Sequence, residues 1–480
     1  MPSVTTSSLD ALRKYADGIR AVRQTKYQDA AALWNEAVRL DPSFRSAYAR
    51  LGGLSYFLNS PGEGAAFFAK ALERVDELPE RERVRIRALS ESERGNHDGA
   101  IAVLAPYVTG HPNDLDLLTQ LAYSYMQADQ LQPAEGIYRQ VIILDSLNYS
   151  ARINLATIFK KWARYADAID TYRAAFAIDP AAEVANTNMN LEYGATYVAL
   201  GHADSARAVF MRMLQTGEPA TRARALRSLA FLDMHLGRFT GAAAQLAEAT
   251  SLASTQKALT SEVRNRVLSA QAYHQLGQVA LERRQLDSAL SLVRTRKEPA
   301  ALLLFVGKPL ARAGMLPQAA AVLKLLEESA QKDVAVDVGD LEAMRGELLV
   351  AQHQAEQALP HLRAAVQNDP PAYFEESYAN GLVAAGQLDS AAVHYRAAEQ
   401  KMVFGHEAQS YSESAPYWLG QVHEQRHDGP AALEAYRRYV ERMKDADSSA
   451  VFAADARARI TRLSGARPPA QRHTPTAGTR

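Results

Sequence analysis

The residues of this sequence that are best suited to chemistry are His423, Glu424 and His427, which form an HExxH pattern. Two histidines four residues apart on a helix can bind one zinc ion, and the glutamate between them can activate a water molecule for hydrolysis. A catalytic zinc ion also needs a third protein ligand, and no recognisable motif supplies one after His427. The pattern fixes only three positions, so it arises readily by chance in a helix-rich chain.

The rest of the sequence contains no other catalytic arrangement. It has no cysteine, which excludes cysteine-ligated zinc, iron–sulfur clusters and thiol nucleophiles. Gly307 and Lys308 are followed by Pro309 instead of the Ser or Thr that binds magnesium in a phosphate-binding loop. Lys plus Arg and Asp plus Glu number 54 each, so no excess positive charge is available for nucleic acid. These features predict a protein that is not an enzyme, uses no cofactor and does not bind nucleic acid.

The elements that must position any functional residue follow a repeating pattern along most of the 480 residues. A small residue is followed four positions later by a bulky one and often, three positions further on, by a second small one. The period is about 34 residues. The first small residue recurs at Ala30, Gly64, Ala100, Ala134, Ala168, Ala206, Ala242, Ala289, Ala319, Ala358, Ala391 and Ala432. This series predicts about twelve units.

Each unit is predicted to be a pair of helices, A and B, and the small residues allow the two backbones to approach closely. On helix A this role falls to Gly18, Gly52, Gly194 and Gly420. Bulky residues are expected to fill the space between helices, namely Trp34, Phe68, Tyr138, Tyr172, Phe210, Tyr395 and Tyr436. Pro42 and Pro180 fall where helix B must end, because proline cannot donate the helical hydrogen bond.

This pattern resembles the tetratricopeptide repeat over about residues 9–440. The resemblance implies an all-α fold, a right-handed superhelical solenoid of about twelve helix-turn-helix repeats with a C-terminal capping helix. The family usually has a glycine at the turn between helices A and B. Gly201 and Gly237 meet this expectation, whereas Asp129 and Arg164 are assigned to the same turn in other repeats.

The repeat register also assigns places to the two histidines of the HExxH pattern. His423 takes a large-residue position of helix A, and His427 takes the A–B turn. The helix would therefore end too soon to present both imidazoles to one metal ion. We interpret the pattern as accidental and predict no metal site.

The regularity of the spacing divides the chain into five predicted segments. These are a polar lead (1–8), a regular array (9–216), an irregular array (217–339), a C-terminal array with a capping helix (340–465) and a disordered tail (466–480). In the irregular part the spacings are about 47, 30 and 39 residues. We expect longer helices around Ser251–Asn265 and loops at Gln331–Asp340 and Gly405–Pro416.

Three stretches resemble a narrower group, the C-terminal repeat region of large bacterial regulators. They are VTTSSLDALRKYADG at the start, LPERERVRIRAL, and AYRRYVERMKDAD followed by ARARITRL. In such regulators a Ser/Thr kinase, cyclase or DNA-binding module precedes the repeats. The resemblance implies an alternative function as a sensor or regulatory domain of a signalling enzyme, separated from its catalytic part. No kinase motif stands in this sequence.

In repeats of this type the inner face of helix A lines a concave groove. The resemblance places Asn154 where several family members use asparagine to hold a peptide backbone, since an amide offers both a donor and an acceptor. Asn188 on the next helix A, with Tyr123, Thr157 and Lys160, would extend this surface. The leading prediction is a scaffold that binds a protein or peptide there. Polar residues are also expected on any solvated face, so the alternative interpretation is that these residues are only in contact with solvent.

The sequence also suggests where the chain resides. No stretch approaches about 18 apolar residues, and Met1–Asp10 lacks the charged and apolar regions of a signal peptide. We expect a soluble chain without membrane insertion, cytoplasmic by default. Only the C-terminal end has a capping helix, so a neighbouring domain or subunit is expected to cover the face near Leu9 and Leu12.

Overall fold

The computed structural model describes residues 6–23, 27–57, 61–180, 187–215, 218–295, 300–330, 338–367, 371–402, 404 and 412–465. Within these ranges the chain forms 25 α-helices and no strand. No helix in this described part is both long and apolar enough to cross a membrane. The predicted tail at 466–480 lies outside the described residues, as do most of the two predicted loops.

The chain folds into two compact units, Met1–Ala182 and Glu183–Arg480. The first unit contains α1 (Leu9–Arg23), α2 (Tyr27–Leu40), α3 (Arg45–Phe57), α4 (Pro61–Leu72), α5 (Glu80–Glu93), α6 (His97–Gly110), α7 (Leu115–Gln127), α8 (Leu131–Leu144), α9 (Tyr149–Lys161) and α10 (Tyr165–Ile178). The predicted boundaries at 216 and 339 stay predictions.

The second unit contains the remaining helices. They are α11 (Thr187–Ala199), α12 (Ala203–Leu214), α13 (Pro219–His235), α14 (Phe239–Thr255), α15 (Leu259–Gln275), α16 (Val279–Thr295), α17 (Ala300–Arg312), α18 (Leu316–Ala330), α19 (Val338–Ala351), α20 (Ala355–Ala365), α21 (Ala372–Ala384), α22 (Leu388–Gln400), α23 (Ala415–Gln425), α24 (Gly429–Arg442) and α25 (Val451–Leu463).

Consecutive helices pack as A–B pairs, from α1 with α2 to α23 with α24, and α25 follows as a single helix. The predicted all-α solenoid of helix pairs is confirmed. The small residues lie where the pairs are tightest: a Cβ on Gly52 would be 2.8 Å from the Phe68 ring, and one on Gly420 would be 2.6 Å from the Tyr436 ring. The predicted bulky residues are all buried.

Each A–B turn that the structure describes contains one residue in the left-handed backbone region, with φ of 77° at Gly201, 58° at Asp129 and 59° at His427. Glycine adopts this conformation without strain, and other residues adopt it at a cost. In the fifth pair the left-handed residue is Ala163, whereas Arg164 has φ of −83°. The assignment of Arg164 to this position was therefore wrong by one residue.

The same turns correct the repeat register that was predicted for the irregular middle of the array. The small residue stands five positions after the left-handed residue, as in Gly237 and Ala242. The next turn is at Gly277, so the small-residue position is Glu282 and not Ala289. Glu282 is nevertheless buried, and it pairs with His274 Nδ1 at 3.2 Å. Periodicity missed the position because a glutamate occupies it.

Longer helices absorb the extra residues of the middle repeats. Helices α13, α14, α15 and α16 each have 17 residues, whereas the pairs before them have helices of 12 to 15 residues. The longer helices predicted around Ser251–Asn265 are confirmed, with a turn at Lys257. Of the two predicted loops, the described parts show that α19 already begins at Val338 and that Ser412–Ser414 forms a 3-10 turn before α23.

The second unit closes on itself between the A–B turn at Gly237 and the loop after α24. The Asp447 amide donates to the Gly237 carbonyl at 3.1 Å, and the Asp447 carboxylate accepts from the Thr240 amide at 2.8 Å. Arg238 Nη2 and Asp445 Oδ2 form an ion pair at 2.6 Å. We call these contacts the seam. They join residues that are about 200 positions apart in the sequence.

An apolar core continues across the seam and joins α13–α15 with α23–α25. Its buried members include Ala230, Met234, Phe239, Leu268, Leu276, Tyr417, Tyr436, Tyr439, Met443 and Ala453. The predicted capping helix is α25, and the ring of its Phe452 lies 5.4 Å from the His274 ring. This helix therefore joins the last pair to the middle of the array instead of covering a free end.

Candidate functional site

The predicted binding residues of the first unit lie on the neighbouring A helices α7 and α9. Tyr123 is 40% exposed, and its hydroxyl accepts a hydrogen bond from Gln127 Nε2 at 2.8 Å. Asn154 is half-buried beside the Tyr138 hydroxyl. Burial raises the pKa of Tyr138, and the Asn154 side chain opposes this rise. The nearby Tyr123 hydroxyl raises the pKa of Tyr138 further. The structure thus brings Tyr123 and Asn154 together around Tyr138.

Thr157 and Lys160 follow Asn154 on the same helix. The Thr157 hydroxyl donates to the Ile153 carbonyl at 3.1 Å, so its donor is used within its own helix. Lys160 is half-buried, and burial lowers the pKa of its ammonium group. The contacts of both side chains with a bound peptide stay predictions. Of the two, Lys160 has its charge partly removed from water.

Asn188 is the one predicted binding residue that belongs to the second unit. It lies in the first turn of α11, and its side chain is outside the described residues. Its part in the binding surface stays a prediction. The described site therefore consists of residues of the first unit alone.

Sequence reasoning missed Gln120, which stands one repeat before Asn154 at the same place on helix A. Both residues lie nine positions before the left-handed turn residue, Asp129 for Gln120 and Ala163 for Asn154. The Gln120 Nε2 atom is buried and has no hydrogen-bond partner in the described part of the chain. The repeat register could have identified this amide. Gln120 and Asn154 thus form a strip of amides on successive A helices.

In the second unit, the A helices α17, α19 and α21 contain charged residues that pair with each other. Lys308 Nζ lies 2.9 Å from Glu376 Oε2 and donates to the Tyr373 carbonyl at 3.0 Å, and Arg312 pairs with Glu347 at 2.7 Å and with Glu376 at 2.6 Å. Lys308, Glu347 and Glu376 are only 7%, 4% and 1% exposed. We call Lys308, Arg312, Glu347 and Glu376 the buried ion network.

Two members of this network stand at places that are less buried in the first unit. Lys308 and Glu347 stand six residues before the turn residue of their pairs, which is the place that Tyr123 and Thr157 take in α7 and α9. Two cations and two anions neutralise each other there, as buried charges require. The A helices α17, α19 and α21 therefore bind each other through groups that an open groove would offer to a partner.

The ionised form of Glu376 is expected to make stability depend on pH. Burial alone would raise the pKa of Glu376, but Arg312 and Lys308 lower it from 4.5 to about 2. Because its pKa is lower in the folded state, ionised Glu376 stabilises the folded state by about 3 kcal/mol. This stabilisation is complete above the unfolded-state pKa of Glu376 and is lost as the pH falls towards 2. We expect the stability deficit of Glu376→Gln, measured by urea unfolding, to shrink by about 2 kcal/mol between pH 7 and pH 3.

The exposed Glu356, changed to Gln, is the control for this measurement. An equal deficit of Glu376→Gln at the two pH values would show that the ionised carboxylate is not what the network stabilises.

The HExxH residues have other roles in the structure. His423 is buried in α23, and His427 lies beyond the end of that helix at the A–B turn. The Glu424 carboxylate accepts from the Tyr436 hydroxyl at 2.8 Å and pairs with Arg459 and Arg462 of α25. Burial lowers the pKa of His423. Glu424 therefore holds α25 in place, and the two histidines occupy the places that the repeat register predicted.

Comparison with known protein families identifies part of the array. Models of the tetratricopeptide repeat match residues 15–79 and residues 149–181. These two segments are tetratricopeptide repeats. The second of them contains α9 and α10, and hence Asn154. No curated protein matches the chain.

Solved structures that match the chain include two that are described as tetratricopeptide-repeat proteins. One from Parabacteroides merdae is 16% identical, covers 63% of this chain and 99% of its own, and has a TM-score of 0.41. Yeast Tom70 is 13% identical over 87% of this chain and 96% of its own, with a TM-score of 0.42. YrrB, described as having an unusual peptide-binding site, is 16% identical over 39% and 91%, with a TM-score of 0.30. The resemblance to bacterial kinase or cyclase regulators stays a prediction.

Proposed function

We propose that the first unit is a non-enzymatic scaffold that binds an extended segment of a partner protein along α7 and α9. The supporting observation is the amide strip of Gln120 and Asn154, with the Tyr138 hydroxyl beside Asn154. The Gln120 Nε2 atom is buried and has no hydrogen-bond partner in the described residues. Buried polar groups without partners are costly, and a peptide backbone offers carbonyl and amide groups at the spacing of an extended chain.

The exposed ring of Tyr123 adds an apolar contact beside this strip. Aromatic side chains supply much of the binding energy at protein interfaces, because they bury a large area and lose little conformational freedom. Lys160 on the next helix would contribute a partly desolvated charge. The second unit contrasts with this arrangement, since its equivalent positions are filled by the buried ion network.

Changing Asn154 to Ala is expected to weaken binding of a selected peptide about tenfold, because an amide that holds the peptide backbone is lost. The probe is a peptide recovered from a displayed library of random 12-residue sequences on the intact protein. Its dissociation constant is then measured by fluorescence polarisation for the wild type, Asn154→Ala and Gln120→Ala.

The matched control is Asn35→Ala, which removes an exposed asparagine of the B helix α2 and is expected to leave affinity unchanged. Asn188→Ala reports whether α11 takes part. A library that yields no binder, or peptides whose affinity is the same for wild type and Asn154→Ala, would reject the proposed site.

A further inference from the structure

A carboxylate on α5 lies close to the backbone of the preceding A helix. Glu93 Oε1 is 3.4 Å from the position that a Cβ on Gly53 would occupy. Gly53 belongs to α3, so the contact joins two successive A helices of the first unit. A Cβ at position 53 would be in ordinary van der Waals contact with this carboxylate. Gly53 itself has no side chain that could cover the carboxylate.

The cations of the same segment are engaged elsewhere. Arg81 pairs with Asp114, Arg83 donates to the carbonyls of Asp76 and Leu78, Arg85 pairs with Glu82, Arg87 pairs with Asp76, and Arg94 pairs with Glu91. In the described residues Glu93 forms no hydrogen bond and no ion pair. A carboxylate on this helix thus faces its neighbour without a counter-charge.

Glu82, on the same helix, is an acidic residue with a structural role. Its carboxylate accepts from the Ser46 hydroxyl at 2.7 Å and from Arg85 Nη2 at 2.8 Å, and these groups lower the pKa of Glu82 although burial would raise it. Glu93 is half-buried, and burial raises its pKa. Ionisable groups with unfavourable burial and no internal partner are typical of binding sites.

We infer that Glu93 recognises the Lys or Arg side chain of a peptide segment whose backbone lies along the amide strip. A cation would supply the counter-charge that Glu93 does not find among the described residues. Helices α5 and α7 are in contact, with Ser92 Oγ 3.4 Å from Ser124 Oγ, so a basic side chain on a backbone near Gln120 would extend to the adjacent A helix. The inference rests on the proposed function of the first unit, and it further specifies that the bound segment carries a positive charge.

The test uses the random 12-residue library with two forms of the intact protein, wild type and Glu93→Gln. We expect Lys and Arg to be enriched at one peptide position with the wild type and not with Glu93→Gln. For a selected peptide, replacing that residue by norleucine should weaken binding to the wild type about tenfold and binding to Glu93→Gln little. Glu63→Gln, an exposed acid on α4, is the matched control.

Glu93→Gln removes a half-buried charge of nearly the same shape, so it is expected to fold with unchanged or slightly higher stability. A lower stability of this variant would assign Glu93 a structural role and overturn the inference. Peptides that depend on Asn154 but show no preference for Lys or Arg would also overturn it, and the proposed function would stand. Absence of any Asn154-dependent peptide would reject the proposed function itself.

Discussion

Replacing Glu376 by Leu is expected to lower the free energy of unfolding of the second unit by about 3–5 kcal/mol. Glu376 is 1% exposed and contacts both Lys308 and Arg312. Its removal would leave these two buried cations with Glu347 as their remaining acid. An uncompensated charge in the interior costs several kcal/mol because neither water nor an ion partner solvates it. Urea unfolding followed by circular dichroism measures the change.

A double variant separates this cost from the loss of packing. Lys308→Met combined with Glu376→Leu removes one cation and one anion together and leaves Arg312 paired with Glu347. We expect the double variant to be more stable than Glu376→Leu alone, since replacing a whole buried ion pair by apolar residues is often neutral or stabilising. A double variant as unstable as the sum of its single changes would show that charge balance is not what the network provides.

Replacing Gly237 by Ala is expected to destabilise the second unit by about 2–5 kcal/mol. Gly237 has φ of 85°, a conformation that costs other residues energy. An alanine Cβ there would also be 2.7 Å from the Cα of Ala446. That neighbour is backbone, so the clash is relieved only if the loop carrying Asp445 and Asp447 moves away. The seam contacts would then be lost together.

Gly201→Ala is the matched control for the seam. Gly201 occupies the same turn position of an earlier repeat with φ of 77°, and a Cβ there would meet no atom within 4 Å. This variant should show the backbone cost alone, about 1–2 kcal/mol. The difference between the two variants measures the seam. Equal destabilisation of the two variants would mean that the contact between Gly237 and Ala446 contributes nothing to stability in solution.

The closed second unit and the amide strip of the first unit suggest different tasks within one array. An open solenoid is stabilised by nearest-neighbour interfaces, so its concave face can stay available for ligands. In the second unit the seam adds a long-range interface, and the buried ion network uses the polar groups of α17, α19 and α21. These differences support our proposal that partner binding takes place in the first unit.

Much of the fold follows from local patterns of the sequence. Ala168 and Tyr172 predict an A–B pair by their type and spacing, and both are buried in α10. The same reasoning failed at Glu282, because a glutamate that is buried beside His274 does not look like a small packing residue. It also assigned the turn position of the fifth pair to Arg164 instead of Ala163, and alanine rarely adopts the left-handed backbone conformation. Gln120 could have been found from the register one repeat before Asn154, whereas Glu93 could not, because the role we propose for it depends on which cations are already paired.

By itself, the sequence determined the helix pairs, their number and the tight contacts between a small and a bulky residue. These features arise within about 34 residues, and the amino-acid types at the contact positions are enough to specify them. Only the tertiary structure decided that the second unit closes at Gly237 and Asp447, and that Lys308 and Glu376 are partners. Such contacts depend on small rotations accumulated over several repeats, which no local pattern records.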